Sequence, residues 1–154
     1  MKIVTWNVNS IKVRVPHVCD YLRAKAPDIV LLQETKIADD KFPALEIEDL
    51  GYNIALLGQR TYNGVAILSK HPMEDVSRGL PGYADDEQSR YIEATIQGLR
   101  IGSLYLPNGN PLDTEKFDYK LRWMGHLRDH ARAMLDDDID FALGGDWNVA
   151  PAEQ

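Results

Sequence analysis

Four apolar stretches of this sequence run into carboxamides and carboxylates. They lead to Asn7-Val8-Asn9, to Gln33-Glu34, to Asn108-Gly109-Asn110 just past Tyr105, and to Asp146-Trp147-Asn148. If those four ends meet, Glu34 and Asp146 bring two carboxylates into one cleft, with several amides around them. Hard oxygen donors of that kind suit Mg²⁺, with Mn²⁺ as the alternative, and Mg²⁺ is usually held by one or two carboxylates plus water. Zinc does not fit, because no Cys or His pair has ligand spacing. His126 and His130 lie four apart, but without the intervening Glu of a His-Glu-x-x-His motif. Each residue alone also has a plainer reading. Asn7 and Asn148 can be caps or turns, Glu34 an exposed loop charge, and Asp146 a turn former. Tyr105 can be a packed strand aromatic, Arg90 a hairpin surface charge, and Cys19 a core residue.

The elements that must position these groups are legible from periodicity. Residues 2–6 read as a buried strand. Val15, Val18, Cys19 and Leu22 follow a helical stripe, with Pro16 suited to a first turn and Ala26-Pro27-Asp28 as the stop. The run 29–32 reads as a strand buried on both faces. Residues 52–57 and 65–68 are strands joined through Asn63-Gly64, a turn signal. Residues 91–96 and 99–106 form a hairpin over Gln97-Gly98. Residues 79–89 read as a surface loop. A long helix covers about 114–135, with Phe117, Leu121, Met124, Arg128, Ala131 and Leu135 on one face, widened by Leu127 and Met134. A last strand at 139–143 runs into Gly144-Gly145-Asp146. The sum is α/β: a mixed β-sheet with flanking helices.

Composition narrows the function classes. The chain has 154 residues, 17 Lys plus Arg and 24 Asp plus Glu, for a net charge of −7. Bulk charge does not draw such a chain to nucleic acid, so a DNA partner needs a local basic patch. Lys12, Arg14, Lys36, Arg60 and Arg90 are the candidates. No run of 18 apolar residues is present for a membrane span, and the N-terminus reads as a strand rather than a signal peptide. One cysteine cannot form an internal disulfide, which points to a reducing, cytoplasmic setting. No obligate protein partner is evident.

Five motifs then occur in order: Thr5-Trp6-Asn7-Val8-Asn9; Leu32-Gln33-Glu34-Thr35-Lys36; Tyr62-Asn63-Gly64-Val65-Ala66-Ile67-Leu68-Ser69-Lys70; Tyr105-Leu106-Pro107-Asn108-Gly109; and Gly145-Asp146-Trp147-Asn148-Val149-Ala150-Pro151. The series resembles the exodeoxyribonuclease III family of apurinic/apyrimidinic endonucleases, within the endonuclease/exonuclease/phosphatase superfamily. The resemblance implies part of a four-layered α/β-sandwich and a Mg²⁺-dependent DNA repair nuclease. Such an enzyme cuts 5′ to abasic sites and trims duplex DNA from 3′ ends, taking the abasic sugar out of the stack. It implies Glu34, Asn7, Asp146 and Asn148 around the metal. Asp146 would orient or deprotonate the attacking water, Asn148 would hold the scissile phosphate, and Tyr105 would stand beside it. Asn63, Arg90 and Asn108 would lie in DNA-contacting loops, with double-stranded DNA carrying abasic sites or 3′ ends as the partner. The rival readings are a superfamily phosphomonoesterase or phospholipase, and an inactive DNA-binding fragment.

One departure is large. The family's Ser-Asp-His motif is missing: of His17, His71, His126 and His130 only His130 follows an Asp, and Arg128 stands where the motif has Ser. The expectation is that residues 1–154 form the N-terminal portion of a single domain whose C-terminal part is absent. Such a portion should be poorly stable, expose an apolar sheet face, self-associate, and be weak or dead as a catalyst.

Overall fold

The apolar run at 29–33 becomes a strand, β2 (Ile29–Gln33), in which every residue is buried. The computed structural model describes residues 1–149. Around β2 stand β1 (Ile3–Asn7), α1 (Ile11–Lys25), α2 (Ala44–Glu48), β3 (Asn53–Leu57) and β4 (Val65–Ser69). They are followed by β5 (Glu74–Arg78), β6 (Tyr91–Ile96), β7 (Leu99–Tyr105), α3 (Glu115–Asp136) and β8 (Phe141–Asp146). Among the described residues the strands form two four-stranded sheets, ordered β1-β2-β4-β3 and β5-β6-β7-β8. β1 runs parallel to β2 and β7 parallel to β8, while the other neighbours are antiparallel.

Side chains alternate across a strand, so β2 serves two cores at once. Val30 and Leu32 pack with Val18, Cys19 and Leu22 of α1 and with Ile47 of α2. Ile29 and Leu31 join Ile92, Ala94, Ile96 and Ile101 of the second sheet. A third core sets Tyr91, Leu104 and Leu106 against Trp123 and Leu127 of α3. The layers are therefore helix, sheet, sheet, helix, in agreement with the α/β expectation.

Several expectations need correction. β1 is a sheet edge rather than a buried strand, with Ile3 and Thr5 exposed. α1 starts at Ile11, so Pro16 falls in its second turn, where it cannot donate to the Lys12 carbonyl. The 79–89 segment is a surface loop as expected, and it is pinned to the body at several points. Leu80 and Ser89 are buried, the Tyr83 ring stacks on His126 at 4.2 Å, and the Tyr119 hydroxyl donates to Asp86. The packed face of α3 is Tyr119, Trp123, Leu127 and Met134. Leu127 and Met134, the two residues expected to widen the stripe, are buried, and the centre of the packed face is displaced toward them by about one residue, or roughly 100°. Leu121, Met124 and Leu135 of that stripe are exposed. Other exposed apolar groups are scattered, among them Ile3 on the edge strand β1, Tyr62 and Leu112 in loops and Trp147 beyond β8, while the residues between the two sheets are buried. β8 takes in Gly144, Gly145 and Asp146 and leaves out Ile139 and Asp140, because its ladder with β7 pairs Arg100 with Phe141 and Tyr105 with Asp146.

Candidate active site

Parallel strands end on the same side, so β1 and β2 deliver their C-termini together, as do β7 and β8. β1 and β8 are the edge strands of their sheets and lie against each other across the sandwich. Asn7 at the end of β1 thereby meets Asp146 at the end of β8, its Nδ2 donating to Oδ2 at 2.8 Å. The same nitrogen donates to Glu34 Oε1 at 2.8 Å. The convergence anticipated from the four strand ends is thus realised, with one amide bridging two carboxylates.

The backbone is bent to make this possible. Glu34 follows β2 with φ 53°, and Asn9, Ser10, Lys36 and Asn148 are also left-handed, at 41°, 84°, 53° and 46°. Such conformations cost a non-glycine residue about 1 kcal/mol or more and persist only where neighbours impose them. The neighbours are visible: the amide N–H groups of Ser10 and Ile11 donate to the carbonyls of Glu34 and Thr35, at 2.8 and 3.1 Å. Before Asp146 only glycine fits at 145, since a Cβ there would collide with the carbonyl oxygen of Leu104. Asn148 closes the turn beyond β8. Its N–H donates to Asp146 Oδ1 at 3.0 Å and its Nδ2 to the Leu106 carbonyl at 2.8 Å.

Electrostatics set the protonation states. Burial pushes the Glu34 carboxyl up, but hydrogen bonds from Asn7, Lys36 and Tyr105 outweigh it and hold the group below its ordinary value. Lys36 Nζ stands 2.7 Å from Glu34 Oε2 and donates to Asn9 Oδ1 at 2.6 Å. Burial and the Glu34 charge raise the Tyr105 hydroxyl, with Asp146 adding to the rise and Arg90 opposing it. Tyr105 therefore remains a proton donor at neutral pH, beside a glutamate that remains ionised.

Asn63, Arg90 and Asn108 stand next door. They line a cavity of about 530 Å³ together with Gln59, Gln88 and Tyr119. The Arg90 guanidinium lies 4.9 Å from the Tyr105 ring centre and donates to the Tyr105 carbonyl at 3.2 Å and to Gln88 Oε1 at 2.8 Å. It is the physical link between the two groups of candidates. Asn63 is buried, its amide donating to Gln59 Oε1 at 3.0 Å. Gln59, Gln88 and Tyr119 went unnoticed in the sequence, because nothing in their local pattern separates them from surface residues. Lys36, expected as a phosphate grip, pairs instead with Glu34, through two left-handed residues that spacing does not reveal.

The donor set fits a divalent ion of the Mg²⁺ type. Among the described residues, no three His, Cys, Asp or Glu side chains are placed to cage a metal. Two carboxylates converging on one amide suit a cation that keeps much of its water, and do not suit one that demands a full protein cage.

A family model described as Endonuclease/Exonuclease/phosphatase matches residues 4–154. The chain belongs to this family. Within the family, it is 32% identical to an exodeoxyribonuclease III of Haemophilus influenzae, an alignment covering 99% of this chain and 59% of that protein. The structure superposes with a TM-score of 0.95 on NExo of Neisseria, a 3′ phosphatase solved with a product DNA hairpin. That pair shares 45% identity over 99% of this chain and 60% of NExo. An AP endonuclease of Archaeoglobus fulgidus gives a TM-score of 0.92 and 39% identity, again over 99% of this chain and 59% of the neighbour. The likeness to exodeoxyribonuclease III read from the motifs is borne out, and so is the layered fold that came with it. The chain spans about three-fifths of the length of these relatives.

Proposed function

We propose that this chain hydrolyses DNA phosphodiesters as a Mg²⁺-dependent repair nuclease, cutting 5′ to abasic sites and removing nucleotides from the 3′ ends of duplexes. The observation that carries the proposal is the bridge from Asn7 to both Glu34 and Asp146 at the ends of three strands. Glu34, Asp146, Asn7 and Asn148 would hold the ion, which supplies positive charge to offset what builds up on the phosphate and the leaving oxygen. Asp146 aims a water at phosphorus and takes its proton. An amide nitrogen carries two N–H groups, so Asn148 can keep the Leu106 carbonyl with one and hold a phosphate oxygen with the other. Tyr105, kept protonated by burial and by Glu34, offers its hydroxyl to the same charge. Arg90, Asn63 and Asn108 line the adjoining cavity where the DNA backbone would run, a local cation and amides in an otherwise acidic chain.

Incision of a duplex carrying one abasic site, with Mg²⁺ and then with EDTA, tests the proposal. Metal-dependent cutting 5′ to the site supports it; a folded chain that never cuts DNA refutes it for these 154 residues. A second reading, removal of a 3′-terminal phosphate from DNA, is favoured by the likeness to a 3′ phosphatase. A duplex ending in a 3′ phosphate distinguishes it. Release of phosphate without incision at the abasic site would replace the first reading by the second.

A further inference from the structure

We infer that Lys120 is a positioning residue that sets the spacing of the two loops carrying Asn108 and Asn148; its role in the reaction rests on the nuclease reading above. Lys120 sits near the start of α3, half-buried, on neither of the strands that build the site. Its Nζ donates to the Asn148 carbonyl at 2.8 Å and to the Asn108 carbonyl at 3.2 Å. The side-chain stem is held as firmly as the head. Gly109, at φ +74°, lies so close over it that a Cβ would come 2.5 Å from the Lys120 Cδ. The loop after β7 therefore rests on the lysine stem, and the ammonium at its tip reaches the loop after β8.

These contacts close a ring. Asn148 donates through Nδ2 to the Leu106 carbonyl, and Leu106 donates its N–H to the Asp146 carbonyl at 2.9 Å. Asn108 lies two residues beyond Leu106 and returns to Asn148 through Lys120. Asn148 has a left-handed backbone, so its carbonyl needs a fixed partner to keep the peptide plane from relaxing. A charged donor is the strongest partner available to a carbonyl, and an ammonium can serve two carbonyls from different directions where a planar guanidinium serves them less evenly. With the ring closed, the Asn148 amide and the Asn108 loop keep one fixed offset. Without it, each loop moves on its own strand end.

Native-state hydrogen exchange on the wild type, Lys120→Met and Lys120→Arg tests this, alongside steady-state cleavage. Lys120→Met keeps the stem beneath Gly109 and removes the head. The amides of Asn148 and Asn110 should then exchange about tenfold faster, while those of the β6–β7 ladder stay unchanged. The kcat for DNA cleavage should fall about ten- to a hundredfold with KM within about threefold, as misplacement of a reacting group predicts. Lys120→Arg should recover part of the lost protection and part of kcat. Unchanged exchange in both loops overturns the inference, as does faster exchange spread evenly through the chain. A defect in KM alone with protected loops also overturns it, and would make Lys120 a simple phosphate contact. Should the wild type cut no DNA, the nuclease reading fails, while the exchange of Asn148 and Asn110 still decides whether Lys120 fixes the loops.

Discussion

Replacing Asn7 with alanine tests the electrostatic design of the site most directly. The Asn7 nitrogen lies 2.8 Å from a carboxylate oxygen of Glu34 and 2.8 Å from one of Asp146. Those two oxygens are therefore at most about 5.6 Å apart, and at an effective dielectric near 20 two unit charges at that separation repel by about 3 kcal/mol. Asn7→Ala removes both charge-assisted bonds and leaves this repulsion bare. The carboxylates are only half-buried, so water and salt take back part of it, and a net loss of about 2 kcal/mol remains. For a chain of this size that lowers the urea midpoint by about 1 M at neutral pH. The sign with pH is fixed. Glu34 is held below its ordinary value partly by Asn7, so the variant's deficit is full above about pH 4.3 and shrinks as acid neutralises the carboxylates. Mg²⁺ should also shrink it, because a cation between the carboxylates replaces the lost bridge. Asn7→Asp should be worse still without metal and recover further with Mg²⁺. Urea melts at pH about 7 and about 4, with and without Mg²⁺, give the whole pattern. Equal midpoints for wild type and Asn7→Ala at both pH values would refute the reasoning.

Other outcomes follow from the same geometry. Glu93, buried in β6, accepts from Arg100 at 2.7 Å, His130 at 2.8 Å and the Tyr91 hydroxyl at 2.7 Å, so Glu93→Gln should cost about 3–5 kcal/mol in urea unfolding by leaving a cation unpaired. Burial pushes the Glu93 carboxyl up, yet Arg100, His130 and Tyr91 together hold it below its ordinary value. The stability it contributes is therefore complete above about pH 4.3 and lost as pH falls through its depressed value, which an acid titration followed by circular dichroism will show. Gly145→Ala should cost about 1–3 kcal/mol and displace Asp146, lowering both the unfolding midpoint and the cleavage rate; normal activity would contradict the collision with the Leu104 carbonyl. Tyr105→Phe removes a donor that lowers Glu34, so the acid limb of the cleavage pH profile should move upward while the unfolding midpoint at pH about 7 changes little.

Much of the site was legible because strands announce their ends. An apolar run that stops at Asn7, Glu34 or Asp146 places a polar group at the sheet rim whatever the details of packing. Parallel pairing of β1 with β2 and of β7 with β8 then brings the rims together. What escaped depends on partners distant in sequence. β5 reads Glu74-Asp75-Val76-Ser77-Arg78, with no apolar run, because an edge strand paired through a bulge needs none. Glu93 inside β6 carries no local sign of burial, and only its partners, His130 of α3 among them, account for a carboxylate there. On α3 two stripes of similar hydropathy compete, and Trp123 settles the choice by filling the space beside Tyr91 and Leu104. Lys120 carried no local sign at all, since its two acceptors are backbone carbonyls 12 and 28 residues away.

The left-handed residues at the strand ends have a consequence for how this chain responds to selection in the laboratory. Asn9, Ser10, Glu34, Lys36 and Asn148 all occupy backbone geometry that glycine would accept without penalty. A library screened for heat tolerance alone will therefore accumulate substitutions at this rim, and on the proposed function its hardiest members will be the poorest at cutting DNA. Screens that alternate heat with DNA cleavage will instead leave the rim untouched and place their gains elsewhere, on the outer face of α3, where Leu121, Met124 and Leu135 stand exposed.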